Sequence, residues 1–214
     1  MGNKHAEPKV ASEKGTSEPE NIRRACPRGE RNAVLTVGHS TRSIAVFIAL
    51  LKAHDVTCLV DVRTIPRSRR NPQFNLENLP GSLETAGIKY VHASALGGLR
   101  HSRPNSANGG WRNASFRGYA DYMQTAEFKS ALDELIGLAC GEHVAIMCAE
   151  AVPWRCHRSL IGDALLIRGI QVMDIMSPTR LQEHKLTAFA RVQGEEITYP
   201  EIRPECNCIE VNDP

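Results

Sequence analysis

The chain has 214 residues, which is long enough for one full domain with a sizeable apolar core, and a second complete domain is not expected. Its 26 Lys and Arg residues nearly balance its 24 Asp and Glu residues, so the net charge of +2 gives no argument for binding to nucleic acid or to a membrane. The sequence has no signal-peptide core, no run of roughly 18 apolar residues that spans a bilayer, and an odd number of cysteines, so we predict a cytoplasmic protein with reduced thiols and no membrane association.

The two ends of the chain differ in composition from its middle. Residues 1–31 are rich in charged residues, Ser, Pro and Gly and show almost no apolar periodicity, which predicts a disordered polar tail. Residues 193–214 hold six acidic side chains against one Arg, and prolines interrupt them, which predicts an acidic, loosely ordered C-terminal tail. Residues 32–192 are predicted to form a single α/β domain.

Between the tails, apolar runs of strand length alternate with segments of helical period, the pattern of βα units around a mainly parallel sheet. The predicted strands are 33–38, 57–62, 88–92, 143–148 and 171–176, a sheet of about five strands. Ser40 or Thr41 can cap the first helix, whose apolar side chains repeat at helical spacing from Ile44 to Leu51. Further helices are predicted within 76–86 with a restart at Pro80, at 119–140 with a break near Thr125, and from Arg155 to Gly169.

Four connections leave the carboxyl ends of these strands, where open parallel sheets bind ligands. They are the turn at 38–40, the long loops 63–75 and 93–117, and the segment after Cys148. Loops of that length are often functional. We therefore expect one mouth that collects all four connections.

The segment from Cys148 to Arg158 carries the most chemistry. Cys148 ends an apolar strand, and Cys156, His157 and Arg158 are predicted to open the next helix, where unpaired N–H groups and the helix dipole favour an anion. A thiol in that position ionises more easily and can serve as a nucleophile or a metal ligand. The alternative interpretation is that each cysteine is a small buried apolar residue.

Neither a phosphatase loop nor a zinc knuckle is matched by this segment. The spacing from Cys148 to Arg155 is one residue longer than in the phosphate-loop thiol enzymes. A metal would use Cys148, Cys156 and His157, with Glu150 as a harder neighbour, but no cysteine pair here has the short spacing of a structural zinc site. No cofactor is therefore firmly predicted, and a divalent metal is left open.

The other connections add charged and flexible residues. Asp61 and Arg63 face the same side of a strand end, so they can clamp a substrate or form an ion pair that orders the loop. His39 follows the first strand and is a candidate acid or base, or a cap of the next helix. The arginines, aromatics and paired glycines of both long loops suit contacts with phosphates and bases, although a solvated charged loop fits the same composition.

Seven motifs stand out in the domain. They are TVGHSTR at 36–42, LVDVR at 59–63, PRS at 66–68, PQFN at 72–75, LGG at 96–98, FRGYADYM at 116–123 and MCAEAVPWRCHR at 147–158. Together they resemble a bacterial family numbered 488 among the domains of unknown function, and the likeness spans about residues 34–176. The resemblance implies a Rossmann-like, three-layer α/β domain and marks the motif residues as the site. It supplies no reaction.

Combining the residues with the resemblance gives a candidate site. The candidate catalytic residues are Cys148, Glu150, Cys156, His157, His39 and Asp61, and the candidate substrate-binding residues are Ser40, Arg63, Arg67, Ser68, Trp154, Arg155, Arg158, Gly97 and Gly98. They favour a hydrolase or group transferase that acts on a phosphate-bearing or otherwise anionic substrate, such as a nucleotide or nucleic acid. The alternatives are a non-catalytic nucleotide or nucleic-acid binding module and a thiol-based or metal-based sensor. No oligomeric state is predicted.

Overall fold

A computed structural model describes residues 33–201, which form a six-stranded sheet, a short two-stranded sheet and five α-helices. The strands are β1 Val34–Gly38, β2 Cys58–Asp61, β3 Lys89–His92, β4 Val144–Cys148, β5 Val172–Ser177, β6 Arg180–Glu183, β7 Arg191–Gln193 and β8 Glu196–Thr198. The helices are α1 Ile44–Lys52, α2 Leu79–Thr85, α3 Ala114–Tyr122, α4 Ala126–Ala139 and α5 Arg158–Leu166. Single 3₁₀ turns lie at Pro72–Phe74, Ser94–Leu96 and Pro153–Arg155.

The main sheet has the strand order β3-β2-β4-β1-β5-β6. Its first five strands are parallel, and β6 pairs with β5 in the antiparallel direction. The carboxyl ends of β1, β2 and β4 therefore lie side by side, with Gly38 opposite Cys148 and Asp61 opposite Met147. This register places the four connections at one edge of the sheet.

The sheet has an apolar core on each face, which confirms the three-layer α/β fold. Alternate strand residues point to opposite faces, so Val60 and Ile146 pack in the core under α3, α4 and α5, whereas Leu59 and Ala145 pack in the core under α1 and α2. Because both faces are covered, the central strands are mainly apolar, and Thr36 and Asp61 are their buried polar residues.

The predicted helices are present, with three corrections at their starts. Asn113 caps α3, which begins at Ala114 rather than at residue 119. Ser43 caps α1 by accepting the N–H of Val46, and Ser40 instead adopts a positive φ of 51° in the turn before it. The segment at Arg155 is a 3₁₀ turn, Cys156 is extended, and α5 begins only at Arg158. The expectation that Cys156 opens a helix is therefore wrong, because Pro153 starts a separate turn before it.

The described residues continue past the expected boundary at 193. They include the hairpin β7–β8 and the fully buried Tyr199, whose hydroxyl donates a hydrogen bond of 2.9 Å to Asp163 in α5. The polar strand β6 makes the sheet six strands wide rather than about five. The predicted tail at 1–31 and the rest of the predicted C-terminal tail lie outside the described residues.

Two further expectations concern the membrane and the cysteines. Within residues 33–201, no helix is long and apolar enough to cross a bilayer. Cys58, Cys148 and Cys156 are free thiols.

Candidate functional site

A pocket of about 700 Å³ opens at the carboxyl ends of β1, β2 and β4. Its walls are formed by the four connections that were predicted to meet at this edge of the sheet. Eleven of the predicted site residues line it: His39, Ser40, Arg63, Arg67, Ser68, Gly98, Cys148, Glu150, Arg155, Cys156 and His157.

The side chains of Cys148, Cys156 and His157 lie close together in this pocket, although Cys148 is eight positions from Cys156 in the sequence. The Sγ atoms of Cys148 and Cys156 and a ring nitrogen of His157 all lie within 4.8 Å of one another. The chain returns to Cys148 because the 3₁₀ turn Pro153–Arg155 folds the loop back and Cys156 follows it in extended conformation. We call Cys148, Cys156 and His157 the thiol–imidazole cluster.

The orientation of the His157 ring is fixed by its backbone contacts. Its Nε2 lies 3.0 Å from the carbonyl oxygen of Val62, and since a carbonyl only accepts, Nε2 carries the hydrogen. Nδ1 then presents its lone pair 3.6 Å from Cys156 Sγ. A Cβ added to Gly98 would lie 2.5 Å from Nδ1 and 2.8 Å from Cγ of this ring, so only glycine fits against it.

The pKa values of the two thiols are shifted in opposite directions. The pKa of Cys156 is lowered to about 6, first because its sulfur accepts a hydrogen bond from Cys148 and then because the charge of Arg158 is near. The pKa of Cys148 is raised to about 12, because its thiol donates that hydrogen bond and is buried. Cys156 is therefore the more acidic thiol of the pair.

Arg158 lies behind the cluster rather than in the pocket wall. Its side chain is almost fully buried and donates to Thr36 Oγ1 at 3.0 Å and to the backbone oxygen of Glu150 at 2.6 Å. Among residues 33–201, no carboxylate forms an ion pair with it. Its positive charge therefore stabilises negative charge on Cys156, and its hydrogen bond holds the loop after β4 in place.

Asp61, Arg63 and His39 form a second buried network. Arg63 donates to both carboxylate oxygens of Asp61, at 2.8 and 2.5 Å, and Tyr90 also donates to Asp61. The ring of His39 donates from Nδ1 to Ser40 O, which leaves Nε2 to accept from Arg63 at 3.2 Å. Burial lowers the pKa of His39 to about 4, so its imidazole is neutral at physiological pH.

The sequence also matches a known family over most of this domain. The family model described as the domain of unknown function DUF488 matches residues 43–165, more than half of the chain. The chain belongs to the DUF488 family. No curated protein and no solved structure matches it.

The DUF488 match includes the thiol–imidazole cluster, Glu150 and the pocket arginines, whereas His39, Ser40 and Thr41 lie just before it. Two of those arginines are unpaired. The exposed side chains of Arg67 and Arg155 have no hydrogen-bond or ion-pair partner in the described part of the chain. Both line the pocket of this DUF488 protein.

Four predicted residues lie outside the pocket wall. Asp61 is fully buried behind Arg63, and Arg158 lies behind Cys156. Trp154 is 60% exposed and borders a neighbouring cavity of about 490 Å³, and Gly97 packs closely against Thr64.

Several wall residues of the DUF488 pocket were not among the candidate residues. Thr41, Ala149 and Ala151 lie within the motifs but were not singled out, and Thr64, Ile65, Asn71 and Leu99 lie outside the motifs. Ile65 and Leu99 are 64% and 69% exposed, which gives the pocket an apolar rim beside its arginines. Position in the long loops was the available signal, because uncharged and apolar loop residues carry no chemical motif.

Proposed function

We propose that this DUF488 protein is an enzyme, a hydrolase or group transferase, that acts on a phosphate-bearing or otherwise anionic substrate. The observation that carries the proposal is the position of Arg67 and Arg155, two unpartnered arginines in the same pocket as Cys148, Cys156 and His157. A guanidinium without a protein partner is suited to bind a carboxylate or phosphate. An anion bound by these arginines would therefore share the pocket with the thiol–imidazole cluster.

The geometry supports a division of roles among the pocket residues. Arg67 and Arg155 bind the anion, and Ser40 and Ser68 line the same wall with hydroxyl groups. Cys148, Cys156 and His157 supply the nucleophile or hold a metal, and Glu150 is the half-buried carboxylate beside them. Asp61 and His39, both first considered as acids or bases, instead position Arg63, because their polar atoms are already taken up by it.

The apolar rim next to the arginines favours a substrate that has an apolar part as well as a negative charge. Ile65 and Leu99 offer exposed apolar surface, and an anionic substrate with a planar apolar part, such as a nucleotide, contacts both kinds of surface at once. A simple inorganic anion would use only the arginines.

The proposal is tested by activity measurements on a panel of nucleotides, other phosphomonoesters and phosphodiesters. We expect turnover of at least one nucleotide by the full chain, and a loss of about 100-fold or more in kcat/KM for Cys156→Ser and Cys148→Ser. Cys58→Ala is the matched control, because Cys58 is a free thiol buried in the core away from the pocket.

Two results would reject the proposed enzyme. One is the absence of turnover across the whole panel, and the other is full activity in both cysteine variants while circular dichroism shows that they are folded. Salt-dependent binding of DNA or RNA that survives loss of both thiols, without turnover, would instead favour the binding module.

A further inference from the structure

The three groups of the thiol–imidazole cluster have the spacing of metal ligands. Ligands at about 2.3 Å for sulfur and about 2.05 Å for nitrogen on a tetrahedral zinc ion lie about 3.6 Å from each other. Cys156 Sγ and His157 Nδ1 are 3.6 Å apart, and Cys148 Sγ lies within 4.8 Å of both ligand atoms. We propose that Cys148, Cys156 and His157 bind a zinc ion, with its fourth position open to the pocket.

The contacts of His157 prepare it for this role. Metal-bound histidines usually donate their second ring N–H to a carbonyl or carboxylate, which fixes the tautomer and the ring orientation. Nε2 of His157 donates to the carbonyl of Val62 at 3.0 Å, and the ring packs against Gly98 and Tyr119. Nδ1 is consequently held with its lone pair toward the sulfur atoms.

The ligand types select the metal. Two thiolates and one imidazole suit zinc and other soft or borderline ions, whereas magnesium and calcium require oxygen ligands. Binding deprotonates both thiols, so protons are released to solvent and the two thiolate charges balance the charge of the ion.

The number of ligands indicates a catalytic rather than a structural centre. Structural zinc sites have four protein ligands, and catalytic ones have three plus a water molecule or substrate. The cluster has three within residues 33–201, and all three line the pocket that holds Arg67 and Arg155. The catalytic role of this ion rests on the proposed function. A zinc ion with an open position activates a water molecule, which would hydrolyse the bound substrate.

Metal content tests the inference without any activity assay. Full-length protein without a histidine tag is stripped by a chelator, and zinc chloride is titrated in competition with a chromogenic chelator. We expect about one zinc ion per chain, and affinity reduced by about 100-fold or more in Cys148→Ser, Cys156→Ser and His157→Gln. Cys58→Ala should bind zinc as the parent does.

Zinc-edge X-ray absorption on the parent protein removes the dependence on variants that fold poorly. A first shell with two sulfur atoms and at least one nitrogen would support the centre. A shell without sulfur, equal zinc binding by all four variants, or a Cys148–Cys156 disulfide with no bound zinc would overturn it.

The same data separate this inference from the proposed function. Absence of zinc together with turnover that requires Cys156 would leave an enzyme without a metal centre. Zinc held by two thiolates together with no turnover of any anion would leave a metal centre without the proposed enzyme.

Discussion

His39 shows how much the role of one side chain depends on its partners. It follows β1 and lines the pocket, so the sequence makes it a candidate acid or base. In the structure it stacks on Phe74, donates to Ser40 O and accepts from Arg63, all while almost fully buried. These contacts require a neutral imidazole, because one ring nitrogen donates a hydrogen bond and the other accepts one.

The first prediction is that His39 makes stability depend on pH. Its pKa falls from the ordinary value of 6.5 to about 4, because of burial and the charges of Arg63 and Arg158, which outweigh Asp61. The unfolded state therefore binds more protons between these two values, so stability is lost as pH falls through that window, by up to about 3 kcal/mol.

Urea unfolding of the parent and of His39→Gln at several pH values measures this dependence. Glutamine still accepts from Arg63 but does not titrate, so its stability should change less between pH 6.5 and 4. His101→Gln, at an exposed position, is the control and should leave the dependence intact. An unchanged pH profile for His39→Gln would contradict the assignment.

The second prediction concerns the buried ion pair of Asp61 and Arg63. Asp61→Asn leaves the guanidinium of Arg63 buried without its counter-charge, so the free energy of unfolding should fall by about 3 to 5 kcal/mol. Glu196→Gln breaks the exposed pair with Lys129 and should cost about 1 kcal/mol or less. Similar losses from the two variants in urea unfolding would show that the buried pair has no special role.

At the scale of elements, the loop after β3 positions the imidazole of the cluster. The 3₁₀ turn Ser94–Leu96 brings Gly97 and Gly98 against Thr64 and His157. The glycine pair in the sequence indicates that another group packs closely against the backbone there. The sequence does not show that this group is the side chain of His157.

The third prediction follows from that contact. Gly98→Ala places a methyl group 2.5 Å from Nδ1 of His157, so the ring must move and zinc affinity should fall by about 10- to 100-fold. Gly137→Ala is the matched control, because nothing lies within 4 Å of the added carbon in α4, and it should raise stability slightly. Equal zinc affinity in the two variants would show that the ring position is not critical.

Elements with strong periodicity could be predicted from sequence, and polar ones could not. Strands β1, β2 and β4 at the centre of the sheet are buried on both faces and therefore appear as mainly apolar runs. Strand β6 contains Arg180, Gln182 and Glu183 and lies at the sheet edge, where polar residues are expected, so it has no distinctive pattern. It pairs with β5 as a hairpin whose turn is Pro178 and Thr179.

At the scale of the whole molecule, the carboxyl-end rule for parallel sheets predicted that four connections form one mouth. The strand order and register that bring Cys148, Asp61 and Gly38 together could not be read from one sequence. Neither could the separation of Cys148 and Cys156, because it depends on how the 3₁₀ turn at Pro153 folds the loop back.

The fourth prediction is that the pocket binds an anionic substrate through Arg67 and Arg155. Loss of two charge-assisted contacts should weaken binding of a nucleoside monophosphate by about 100-fold or more. The matched control removes Arg69 and Arg70, which are exposed in the same loop and do not line the pocket.

Isothermal titration calorimetry with one nucleoside monophosphate at fixed ionic strength makes the comparison. We expect tight binding by the parent and by Arg69→Ala/Arg70→Ala, and a loss of about 100-fold in Arg67→Ala/Arg155→Ala. Equal affinity of the two double variants, or no binding by the parent, would contradict it.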